Sequence, residues 1–158
     1  MASTGWTTGD LSRALDGEVI NNGDYNLVSL LIGVNNQYRG NSLDEYRQEF
    51  TILLDRAIAY AGGNSDRVFV ISIPDWGVTP FGQLVGNPKE IAEEIDGFNA
   101  ANQAITESKQ VRYFYITPIS REALNDRALI ASDGLHPSGK MYTRWVEMML
   151  PEIELLLE

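Results

Sequence analysis

Three short, nearly continuous apolar runs limit what this chain can fold into more than any other feature. They are Leu27, Val28, Leu30, Leu31 and Ile32; then Val68, Phe69, Val70, Ile71 and Ile73; then residues 111–116, just ahead of Pro118. Each has strand length and lacks the alternation of a half-solvated strand, so each predicts a strand covered on both faces, as parallel sheets require. The segments between them carry a helical period. Ser42 and Glu45 frame a capping box, behind which Leu43, Tyr46, Phe50, Leu53, Leu54, Ala57, Ile58 and Ala61 recur every three or four residues until Gly62 and Gly63. Asn87 and Pro88 open a second helix with Ile91, Ile95, Phe98 and Ile105 inside. A short helix follows Thr7, with Asp10 completing its cap, and a last one begins at Ser138, where Pro151 predicts a kink or restart. Strands joined by helical crossovers predict one three-layer α/β domain over residues 1–158, with a parallel sheet between helices.

Composition narrows the chemistry. Twelve Lys and Arg against 22 Asp and Glu leave a formal charge of −10, and no basic run offsets it, so nucleic acid is not an expected partner. With no Cys there is no disulfide framework, thiolate nucleophile or Cys-ligated zinc, and one His excludes a multi-His metal site. The apolar runs are too short to span a bilayer as helices. Met1 to Thr4 carries neither a charged start nor an apolar stretch, so no secretory signal is read here, and the compartment stays open.

In such sheets ligands bind beyond the carboxyl ends of the strands, and there the unusual residues gather. Gly33, Val34, Asn35, Asn36, Gln37 and Tyr38 form an expected polar loop after the first strand. Asp75, Trp76 and Phe81 lie in a long loop, residues 74–87, after the second. Ser132, Asp133, Gly134, Leu135, His136 and Pro137 follow the third. Asp133 can reach one imidazole nitrogen of His136 three residues on and leave the other facing a reacting group. Asn35 can act as a turn residue or as an amide donor to an oxyanion. Gly5, before the first helix, can be a plain turn or present a backbone N–H.

Gly5 in Thr4-Gly5-Trp6, Asn35 in Gly33-Val34-Asn35-Asn36, and Asp133 with His136 in Asp133-Gly134-Leu135-His136-Pro137 resemble blocks of the SGNH, or GDSL-type, serine hydrolases. The blocks come in the family's order and the resemblance covers essentially the whole chain. Asn36 departs from it, because many members carry Asp there. The resemblance implies a flavodoxin-like three-layer α/β/α fold and ester hydrolysis without metal or organic cofactor. His136 would be general base and then acid, Asp133 its orienting partner, and Gly5 and Asn35 the oxyanion donors. Asn36, Trp76 and Phe81 are the candidate substrate contacts, for a small ester or acylated substrate.

The family's nucleophile belongs to a Gly-Asp-Ser block after the first strand, ahead of the Gly5 block. Ser12, in Gly9-Asp10-Leu11-Ser12, is one place late and reads as a helix residue, and there is no Gly-x-Ser-x-Gly elbow. The expectation is therefore a domain lacking its first strands and its nucleophile, inactive in isolation. Its strand of Leu27, Val28, Leu30, Leu31 and Ile32 would have an open edge and self-associate there. The alternative is a non-catalytic ligand-binding or interaction protein of the same fold. A nucleotide-binding domain shares the layers but needs a Gly-x-Gly-x-x-Gly or Walker sequence, which this chain lacks.

Overall fold

The computed structural model describes residues 1–156. Three parallel strands, β1 (Val28–Leu30), β2 (Val68–Ile71) and β3 (Arg112–Phe114), pair in the order β1-β2-β3. Alternate residues of β2 serve the two faces, as the pleat dictates. Val68 and Val70 point to a core shared with α1 (Thr8–Asp16), α3 (Leu43–Tyr60) and α5 (Pro88–Ser108), where Tyr46, Phe50, Leu54 and Ile95 are fully buried. Phe69 and Ile71 point the other way, to Met141, Trp145 and Met149 of α7 (Gly139–Leu156). These are the three layers the apolar runs predict.

Local chemistry sets most helix ends. Thr7 and Asp10 form a complete capping box on α1. On α3 the Ser42 hydroxyl accepts from the amides of Asp44 and Glu45, so the expected box there is present as its Ser half. Asn87 caps α5, whose first residue is Pro88. Of the kink or restart expected at Pro151, the restart does not occur: α7 continues through it as one helix.

Two expectations are corrected. The first strand is three residues long and only Leu30 of it is buried; Leu31 is 42% exposed. No strand lies along its outer edge among the described residues. A groove of about 490 Å³ runs there instead, past Leu15, Tyr25, Leu27 and Leu30. Residues 33–38, expected as a loop, contain the helical turn α2 (Val34–Tyr38), and the long loop after β2 contains α4 (Pro80–Val85). The turn α6 (Thr117–Arg121) follows β3.

At the carboxyl end of the sheet the strands separate while still buried, and side chains replace the ladder. Asn99 of α5 accepts from the Ile73 amide at 2.7 Å and donates to its carbonyl at 3.1 Å. The Ser72 hydroxyl takes the amides of Ile116 and Thr117 at 2.9 and 3.1 Å, and the Thr117 hydroxyl donates to the Ile73 carbonyl at 2.8 Å. A buried amide or carbonyl left unpaired costs roughly 1–3 kcal/mol. Replacing Asn99 by Leu leaves the buried Ile73 amide unpaired while its carbonyl keeps the Thr117 hydroxyl, so Asn99→Leu is expected to lower unfolding stability by about 2 kcal/mol in urea titration. The exposed Gln103→Ala on the same helix should change it little. A loss under about 1 kcal/mol for Asn99→Leu would overturn this role.

Candidate functional site

The turn after α6 folds back on itself. Gly134 takes a left-handed φ of +75°, which lets the Asp133 carboxylate accept the amides of Leu135 and His136, both at 2.9 Å, through one oxygen. Its other oxygen meets His136 Nδ1 at 2.7 Å. The Leu135 amide first, then the His136 amide and the imidazole, hold the Asp133 carboxyl down at about 2, so it stays ionised beside the ring. The turn is anchored by Ala131 N–H to the His136 carbonyl at 2.8 Å and by Phe81 N–H to the Gly134 carbonyl at 3.0 Å. Nε2 of His136 has no protein partner among the described residues.

The Gly5 segment is held at three points by α2 and Arg39 just after it. Arg39 donates to the Gly5 carbonyl at 2.7 Å, Asn35 Nδ2 to the Trp6 carbonyl at 3.0 Å, and Asn36 accepts from the Thr8 amide at 3.0 Å. Asn36 also donates to the Thr8 hydroxyl at 2.6 Å, and that hydroxyl donates to Glu49 of α3. Gly5 sits at φ +82°, a conformation that side chains resist. Gly33 sits at φ +131°, and a Cβ there would lie 2.7 Å from Ile73 and 2.8 Å from Tyr46. Any larger residue would be strained at that φ and would force the Ile73 or Tyr46 side chain to shift. Burial raises the Tyr46 phenol above its usual range, and its hydroxyl bonds the Ile32 carbonyl at 3.1 Å.

These elements enclose a cavity of about 480 Å³. Gly5, Asn35, Trp76, Phe81 and His136 all line it, with Asp133 behind the imidazole. Asn36 does not: it is fully buried and spent on Thr8, which corrects its expected role in substrate contact. Neighbours on a helical turn are about 100° apart, so when Asn35 faces the cavity Asn36 faces the core. Ser12 lies within α1, away from the cavity. Of the serines on the wall, Ser120 is committed to the Thr117 carbonyl and the Asp75 amide, which leaves Ser3. The contacts of Thr8, Gln37, Arg39 and Glu49 escaped the sequence reading because separations of 28 to 57 residues leave no local periodicity. Trp145, at the α7 side of the cavity, carries a buried indole N–H with no partner among the described residues.

Residues 1–144 match the model of the GDSL-like Lipase/Acylhydrolase family. Among solved structures, the chain resembles the psychrotrophic esterase EstA from Pseudoalteromonas sp. at 18% identity and TM-score 0.65, covering 97% of this chain and 74% of that one. It also resembles Axe2, an acetylxylan esterase from Geobacillus stearothermophilus, at 22% identity and TM-score 0.71, covering 94% and 68%. At these identities the likeness shows the fold. No curated protein sequence matches the chain significantly.

The depressed Asp133 pKa favours the folded turn above about pH 4, the range of the free carboxyl, and that advantage fades as pH falls toward 2. Carboxyl NMR titration should find the Asp133 midpoint near 2. In His136→Ala the two amides remain, so the midpoint should rise yet stay below the ordinary 3.8. A midpoint of 3.8 in that variant would show that the imidazole alone set it.

Proposed function

Because residues 1–144 fit the GDSL-like lipase/acylhydrolase model, the chain belongs to that family, and on this premise we propose that it supplies the acid–base and oxyanion groups of a serine ester hydrolase. The observation that carries the reading is one cavity wall bearing a carboxylate-oriented His136 with a free Nε2 together with Gly5 and Asn35.

His136 Nε2 takes the proton of an attacking serine hydroxyl while its oxygen bonds the ester carbonyl carbon. The carbonyl electrons move onto oxygen, which the Gly5 N–H and the second N–H of Asn35 Nδ2 stabilise. Asp133 keeps the proton on Nδ1 and stabilises the imidazolium. The imidazolium then protonates the departing alcohol as the C–O bond breaks, leaving an acyl-serine. Water repeats the sequence, with His136 as base, to release the acid and restore the serine. Asn36, Thr8 and Glu49 act one step back, holding the two oxyanion donors at a fixed spacing.

In this reading the attacking serine lies outside residues 1–158. A fluorophosphonate probe should leave the 158-residue chain unlabelled, and labelling at Ser3 would overturn that placement. Extension at the N-terminus by a strand-turn segment bearing Gly-Asp-Ser should produce hydrolysis of p-nitrophenyl butyrate. In the extended chain, Asn35→Ala should cut kcat by about 10²–10³ with KM little changed, and His136→Ala by about 10⁴ or more. An extended, folded chain without hydrolysis would overturn the function itself.

A further inference from the structure

Asn36, the residue that departs from the family resemblance, is one end of a hydrogen-bond chain whose direction follows atom by atom. A backbone N–H only donates, so the side-chain oxygen of Asn36 must face the Thr8 amide, at 3.0 Å, and its NH2 must face the Thr8 hydroxyl, at 2.6 Å. The hydroxyl therefore accepts from Asn36, and its single proton is left for Glu49. Asn36 and Thr8 are fully buried, and the carboxylate of Glu49 closes the chain from α3.

Room for that carboxylate is made on α1. Gly9 stands in its first turn, although glycine is a poor helix former, and a Cβ there would lie 3.1 Å from Oε1 of Glu49. The chain of bonds bears on the cavity through the backbone. Thr8 directly follows Gly5-Trp6-Thr7, and Asn36 directly follows Asn35, whose side-chain amide already donates to the Trp6 carbonyl at 3.0 Å. Fixing residue 8 against residue 36 thus fixes Gly5 against Asn35.

We propose that Glu49 is the positioning residue of this chain, supplying from α3 the acceptor that a carboxylate at position 36 would otherwise supply. A hydroxyl with one proton can donate to one carboxylate only. With the acid at 49, the group beside Asn35 stays an uncharged amide. The negative charge then lies one hydrogen-bonded link further from the oxygen that Gly5 and Asn35 stabilise. Glu49 touches no substrate; it acts through Thr8 and Asn36. The placement of charge rests on reading Gly5 and Asn35 as the oxyanion donors, whereas the direction of the chain does not.

Thermal unfolding and amide NMR of the 158-residue chain test both parts. Glu49→Gln keeps an acceptor oxygen and should leave Tm within about 1 °C, whereas Glu49→Leu strands the buried hydroxyl proton and should lower it by about 4 °C. Asn36→Asp sets two carboxylates against one proton, so it should lower Tm by about 5 °C or more at pH 7. Its folded state then gains by binding a proton, so the loss relative to the unaltered chain should shrink as pH falls below about 5. Adding Glu49→Gln to Asn36→Asp lets the chain run in reverse, from the new amide through Thr8 to the acid at 36, and should restore Tm. In that double variant the shifts of the Gly5 amide and the Asn35 side-chain amide should report phenylphosphonate binding about fivefold or more weaker than in the unaltered chain, a gap that narrows in about 0.5 M NaCl. Full stability of Asn36→Asp at pH 7, a loss independent of pH, no rescue in the double variant, or a costless Glu49→Leu would overturn the role of Glu49. Equal phosphonate affinity in the double variant and the unaltered chain would overturn the placement of charge. Gly5 and Asn35 silent to phosphonate in the unaltered chain would overturn the proposed oxyanion pair and the placement of charge with it, while the unfolding data still decide the direction of the chain.

Discussion

The structure depends on a set of side chains that take over where the sheet gives out. A parallel ladder must end, and its last amides and carbonyls usually reach water. Here the strands diverge under cover, and Ser72, Asn99 and Thr117 supply the missing partners from three different segments. Asn102 continues the set, donating to the Tyr46 hydroxyl and accepting from that of Tyr113. Because these groups lie in the low-dielectric interior, each fixes its neighbour's geometry closely. The chain therefore leaves β2 and β3 in set directions, and the loops that form the cavity start from fixed positions.

The proposed acid–base pair and the proposed oxyanion pair are built in different ways. Asp133 and His136 meet within one turn, and the backbone amides of that turn do most of the work of keeping the carboxylate ionised. Gly5 and Asn35 come together only because α2 grips the segment before α1. That grip uses a buried amide, a buried hydroxyl and a carboxylate from a third element. Asp75 and Arg121 form another long-range pair, with a carboxylate almost wholly out of water and a cation 46 residues away in sequence.

What could be read from residues follows the same division. The Asp133 to His136 turn was legible because its spacing is its geometry. The helices were legible from Ser42, Thr7 and Asn87 at their starts and from their apolar faces. The first strand was overread in length and burial, since a run of apolar residues reports affinity for a core and cannot say how many of them pair or are covered. The turn of α2 was missed because five residues with three consecutive amides are too short to show an amphipathic period, and Asn36 was misassigned with it. Nothing local in Thr8 or Glu49 announces that they meet, and Trp76 gives no sign of being tied to Gln37.

The closed Asp133 turn also bears on how such a site is inherited. A device contained in four consecutive residues can be transferred, repaired or discarded as a single piece, with little adjustment elsewhere. The grip on Gly5 has no such independence: a change at residue 36 removes a partner from both the Thr8 amide and the Thr8 hydroxyl, which also serves Glu49. In descendants of this chain the first half of the machinery should vanish or persist as a block, and the second should drift as a correlated trio.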